Sequence, residues 1–246
     1  MNYKKFSKTY SYSRTFRYYK AAGKDKKKAK DMYYANCRLA RAFQPLISTF
    51  EVVLRNRLHY ANAHLFGDVQ WMINQKTGFM SDSSLTHVNK KTKKIETNDF
   101  LKKEVLRAEK KLKDEKRNIT AGRVIAELNL GFWNSLYEKH HFALLKGVPC
   151  TIFQSLPKGY GRKEVNDYIL RIRKLRNRIS HNEPLCFNGN KYDMGYAKDM
   201  YARIVDFLSW IDPDILKDMK LGNLDSVEEV IKENEQIINK PRTVDA

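Results

Sequence analysis

The chain has 246 residues, 42% hydrophobic and 30% charged, enough to bury a core as one large domain or two small ones. Lysine and arginine number 47 against 28 aspartates and glutamates, a formal net charge of +19 that favours polyanionic partners and salt-sensitive binding. No apolar run nears the ~18 residues of a spanning helix, and the first residues lack the apolar stretch of a secretory leader. Nucleic acid rather than a membrane is therefore the expected partner, and the cytoplasm the expected compartment. Cys37, Cys150 and Cys186 are too scattered for a disulfide framework or a zinc site and read as small buried apolar residues. No metal or other cofactor is expected.

In chain order, residues 1–30 are tyrosine-rich and basic and form the first predicted segment, an N-terminal arm. Two readings of it stand side by side. It is a flexible solvated arm, or Tyr10, Tyr12, Tyr18 and Tyr19 stack on unpaired bases while its lysines and arginines meet phosphates. From Asp31 to about Phe66 the apolar residues Phe43, Leu46, Ile47, Phe50, Leu54 and Leu58 recur at helical spacing, with Pro45 as a possible kink. A basic polar loop containing "NKKTKKIETND" follows. Residues 99–117 then read as a charged, solvent-exposed helix with a thin apolar stripe. The most apolar segment, 120–145, reads as one central core helix. Glycines and prolines between 147 and 161 mark a loop, and further helices are predicted at 161–182, 193–211 and 224–239, the last opened by a Ser226/Glu229 capping box. No segment alternates convincingly enough for a strand. The predicted fold is an all-α bundle whose main domain spans 31–212, followed by a C-terminal helix and tail over 213–246.

The predicted 161–182 helix carries the densest chemistry, "RKLRNRISHNEP" from Arg173 to Pro184. Val165, Ile169, Ile172, Leu175 and Ile179 make its apolar stripe. Asn177 and His181, four apart, share a face, and Arg176 lies about 100 degrees round from Asn177. Pro184 ends the helix and so puts His181 at an open end. Histidine moves protons near neutral pH and arginine holds developing phosphate charge as a fixed fork. Together they suit cleavage of RNA by its own 2′-hydroxyl, a reaction that requires no metal. The alternative for Arg176, Asn177 and His181 is a basic helix end with a histidine near the negative pole of the helix. Arg173 and Arg178 read as RNA-backbone contacts or solvated charge.

"LRNRISH" resembles the R-x4-6-H signature of HEPN domains. "FEVVLRNRLHYANAHLFG" near residue 50, "GRVIAELNLGFWNSLY" from 122 and "LRNRISHNEPL" from 175 resemble, in that order, the Abi-like abortive-infection family of bacterial HEPN proteins, over roughly residues 35–210. Asn182 stands where many of its members carry a second histidine. The resemblance implies a HEPN-type helical bundle with Arg176, Asn177 and His181 as catalytic residues. It further implies a metal-independent endoribonuclease toxin of phage defence and a homodimer whose two motifs face one groove. Glu51, Arg55 and Asn56 belong to a stretch that recurs in that family: Glu51 is expected to support the site, and Arg55 and Asn56 either orient the fold or contact RNA. The spacing of Arg55 and His59 is one residue short of the motif. His64, His87, His140 and His141 are expected to be non-catalytic. RNA is the expected partner, as substrate and also as a cognate antitoxin that holds the toxin inactive. A non-catalytic RNA-binding module is the rival reading, and a DNA-binding regulator a third.

Overall fold

A computed structural model describes residues 1–88 and 91–239. Asn89 and Lys90 of the basic loop, and the tail from residue 240, lie outside them. The described residues form twelve α-helices and two short hairpins, so the fold is all-α. In chain order the helices are α1 (Tyr3–Thr9), α2 (Tyr12–Ala21), α3 (Lys26–Phe66), α4 (Trp71–Asn74), α5 (Phe100–Asp114), α6 (Ala121–Glu127), α7 (Leu130–Ser135), α8 (Lys139–Leu144), α9 (Arg162–Ser180), α10 (Gly195–Ile211), α11 (Asp214–Leu221) and α12 (Val227–Asn239). The hairpins, which the sequence did not announce, pair β1 (Thr86–Val88) with β2 (Ile95–Thr97), and β3 (Phe187–Asn188) with β4 (Lys191–Tyr192). Each strand is too short to show alternation.

The chain divides into two compact units. Among the described residues, the first holds 1–49, 171–209 and 213–239; the second holds 50–170 and 210–212.

In the first unit the tyrosine-rich segment is folded. Asn2 caps α1 by accepting the Lys5 N–H at 2.9 Å. Ser7 and Thr15 join α1 to α2 through a buried hydroxyl pair at 2.8 Å. Phe6 is fully buried, edge-on to Tyr33 at 5.3 Å between ring centroids. Phe6 and Tyr10, four apart, are the apolar periodicity that announces α1, though the surrounding lysines mask it. The long helix α3 begins at Lys26, earlier than expected, and Pro45 lies inside it without ending it. Helix α11 was not foreseen, because Pro213 and Gly222 bracket only eight residues.

In the second unit Phe66, Trp71, Phe79 and Phe132 pack in a chain of ring contacts 5.7–6.5 Å apart. Helix α5 exposes its charged face as expected, but its buried stripe is broader than the thin one its sequence suggests. It buries Leu101, Val105, Ala108 and Leu112, and also Glu104 and Glu109. Glu109 is held by Lys76 at 2.5 Å, and Glu104 by Arg107 at 2.5 Å and by Asn129. The segment 120–145 is three helices rather than one. Leu128 is extended, Asn129 then caps α7 by accepting the Phe132 N–H at 3.2 Å, and Glu138 is extended again before α8. Asn129 is the helix-start residue type that an apolar count passes over.

Two histidines of this unit are held neutral. His141 is buried, with Nδ1 3.0 Å from the Ser135 carbonyl, and its pKa is lowered by burial. His59, half-buried, accepts the Trp71 indole N–H on Nδ1 at 3.2 Å and is likewise lowered by burial. Both folded values lie below the ordinary 6.5, so below that pH the unfolded chain binds more protons than the folded one. This contribution to stability is complete above pH ~6.5 and is lost as the pH falls through the folded values. Thermal unfolding followed from pH 7.5 to 5 should show a falling midpoint, with a shallower slope in His141→Gln.

Candidate active site

The first unit contains the motif end of α9, and its geometry answers why the arginine-rich helix stops where it does. The Asn182 N–H donates to the Ile179 carbonyl at 2.9 Å and the Glu183 N–H to the Arg178 carbonyl at 2.8 Å, while Asn182 itself has a φ of +50°. This is a Schellman ending, with asparagine in the left-handed position where glycine is usual. His181 is therefore the C-cap, its N–H still bonded to the Asn177 carbonyl at 3.0 Å. Pro184 sits two residues beyond Asn182, as is common once a helix has ended.

The side chain of Asn182 fastens this turn to α3. Its Nδ2 donates to the Tyr33 hydroxyl at 3.3 Å, and the Cys37 thiol donates to its Oδ1 at 3.9 Å. Asn36, 1% exposed, completes the attachment. Its Oδ1 accepts the Leu185 N–H at 2.6 Å and the Cys186 thiol at 3.4 Å, and its Nδ2 donates to the Glu183 carbonyl at 3.5 Å. Nothing in the motif pointed to Asn36. Its signal is a polar residue set among Met32, Ala35, Leu39 and Ala40, all buried on α3. We expect Asn182→Val to lower stability by about 2 kcal/mol, because a β-branched residue at positive φ is strained and both side-chain bonds go. Asn182→Gly should cost less, since it keeps the backbone turn. Urea unfolding of the two variants checks the order.

Within this end, Arg176, Asn177 and His181 are exposed, whereas Ile172 and Leu175 of the same helix are buried. Arg173 is exposed beside them. Arg178, read as an RNA-backbone contact or solvated charge, is engaged within the protein and half-buried. Its guanidinium donates to the Pro184 carbonyl, lies 3.5 Å from Glu183 and covers the Tyr196 ring at 4.4 Å, so it clamps the turn that follows His181. From α2, Arg14 donates to the His181 carbonyl at 3.3 Å. Tyr18 corrects the stacking expectation. It is 1% exposed, and Tyr33 and Phe187 hold its ring edge-on at 5.6 and 5.2 Å, so it presents no face to a base. Tyr19 is half-buried against Tyr3 at 5.3 Å.

Glu51, Arg55 and Asn56 lie in the second unit, on the part of α3 that begins at Phe50. Asn56 is exposed; Arg55 is half-buried, with its Nε enclosed and given no hydrogen bond among the described residues. The three cysteines are free thiols whose pKa values burial raises, Cys186 to about 12, so none is poised as a thiolate. Among the described residues no helix is long and apolar enough to cross a membrane, and no three His, Cys, Asp or Glu side chains cluster as metal ligands.

Fold and site together define an all-α protein with a cationic, amide- and imidazole-bearing helix end. A family model of Abi-like proteins matches residues 1–186, and the chain belongs to that family. The match includes the tyrosine-rich helices that the motif resemblance left outside and ends at Cys186, just past the fastened turn. Membership suggests a role in abortive infection, a phage-defence response. No curated protein and no solved structure matches the chain.

Proposed function

We propose that this Abi-like protein is a metal-independent endoribonuclease, with Arg176, Asn177 and His181 as its catalytic residues in a HEPN-type site. The observation that carries the proposal is the end of α9. There a buttressed turn leaves an arginine, an amide and a histidine exposed together, in a chain of net charge +19. Histidine as a residue type serves either to take the 2′-hydroxyl proton or to protonate the leaving 5′-oxygen. Arginine matches the phosphorane between those two steps with its planar fork. Asn177 supplies an amide that hydrogen-bonds without adding charge. A second copy of the chain would bring a second Arg176–His181 pair to the same phosphate, dividing the two proton transfers between protomers. The charge and the exposed cations also fit an RNA held as an inhibitor in place of substrate.

Purified protein incubated with total RNA in EDTA tests the proposal. Cleavage that survives chelation supports it. Tight binding with no cleavage would replace the nuclease by an RNA-binding module.

A further inference from the structure

Directly after His181 the chain runs along the wall of a cavity of about 750 Å3, all of it inside the first unit. Lys8, Tyr10, Arg14 and Arg17 line it together with Tyr33 and the Asn182–Pro184 turn. A cavity of this size falls within the about 300–1,000 Å3 of small-molecule sites. Its charge is lopsided. Three cations meet one carboxylate, Glu183, and that carboxylate already has Arg178 at 3.5 Å.

The two arginines are fixed rather than free-swinging. Arg14 is tied to the His181 carbonyl at 3.3 Å. Arg17 donates to the Gly189 carbonyl and lies over the Phe187 ring at 4.3 Å. A guanidinium has five N–H donors, so each arginine keeps most of its fork for a further acceptor. Pre-positioned forks suit an anion with several oxygens, such as phosphate. Tyr10 supplies an apolar surface on the same wall. Half-buried, it is backed by Phe6 and Tyr33, each 5.0 Å away between centroids, and so offers a firm support for a planar ring. Phosphate-matched cations beside a supported aromatic are the components of a site for single-stranded nucleic acid.

We propose that this cavity is a nucleotide subsite for single-stranded RNA. Arg14 and Arg17, assisted by Lys8, hold a phosphate of the strand, and Tyr10 supports the attached base. The inference rests on the reading of RNA as substrate, and it assigns the N-terminal helices a part in gripping the strand next to His181. Because Tyr10 and the turn that follows His181 line the same cavity, the strand is fixed on that side of the motif, and position along the RNA is set by the subsite rather than by His181 alone.

The test uses the full chain carrying His181→Ala, so that RNA is not consumed. Anisotropy titrations with a labelled single-stranded octaribonucleotide should show affinity falling about tenfold in Arg14→Glu and again in Lys8→Glu, as loss of a hydrogen bond to a charged group would give. Lys220→Glu, an equal charge change on exposed α11, should change it far less. An octamer carrying 4-thiouridine should cross-link within residues 8–17, at Tyr10 by preference. Equal losses in all three variants would reduce the effect to net charge and overturn the subsite, as would a cross-link confined elsewhere. A third overturning result is calorimetric binding of 5′-AMP that depends on Arg14 while octamer binding does not, since the cavity would then take a free nucleotide. If the parent protein cuts no RNA but the expected pattern of variants and cross-link holds, the nuclease reading fails and the subsite stands. If it cuts RNA and the pattern is absent, the subsite alone fails.

Discussion

His181→Ala should cut RNA 10²- to 10⁴-fold more slowly than the parent, in keeping with the about 10²- to 10⁴-fold that general acid–base catalysis contributes, and should lose toxicity in cells to match. The fold should survive. The imidazole is exposed, and the contacts that fix this position are made by its main chain: the N–H to Asn177 and the carbonyl from Arg14. Single-turnover cleavage, measured with far-ultraviolet circular dichroism on the same samples, separates lost chemistry from lost structure. Parental rates in the variant would return His181 to the role of a helix cap.

Arg176→Lys should also be severely impaired, by about 10²-fold or more, although no charge is lost. Lysine is a point charge on a flexible stem and cannot reproduce two parallel N–H bonds to a phosphate. An equal substitution at Arg173, exposed one turn earlier on α9, provides the contrast. There the expected change is small and disappears at higher salt, as for a general electrostatic contact. Arginine and lysine have nearly the same helix propensity, so neither change should alter the helix itself. Near-parental activity in Arg176→Lys would make Arg176 one more member of the cationic surface.

The helix class and the motif-bearing helix were legible because they rest on long apolar periodicities. The stripe through Ile172 and Leu175 places both residues in the core and leaves Arg176, Asn177 and His181 exposed. Other features depend on single residues that periodicity does not weigh. Asn129 and the extended Leu128 divide what looked like one core helix, and the two hairpins hang on a few residues each. Tyrosines among lysines suggested an exposed arm, yet Phe6 and Tyr18 are core, because tyrosine can bury its ring as readily as display it. At the site, the sequence carried the motif and its proline but not what fastens the turn. Asn36 is 146 positions from Asn182 in the chain, and only folding shows that both serve one turn. Arg178 was read by its charge, whereas its partners Glu183, Pro184 and Tyr196 decide its role.

The most direct test of the central claim is the identity of the RNA ends produced by the parent protein in EDTA, alongside a substrate carrying one 2′-deoxynucleotide at the cut position. Attack by the 2′-hydroxyl, with His181 moving the proton, should leave 2′,3′-cyclic phosphate and 5′-hydroxyl ends and should spare the deoxy-substituted position. Ends bearing 5′-phosphate, or cleavage of the deoxy position at an undiminished rate, would contradict it.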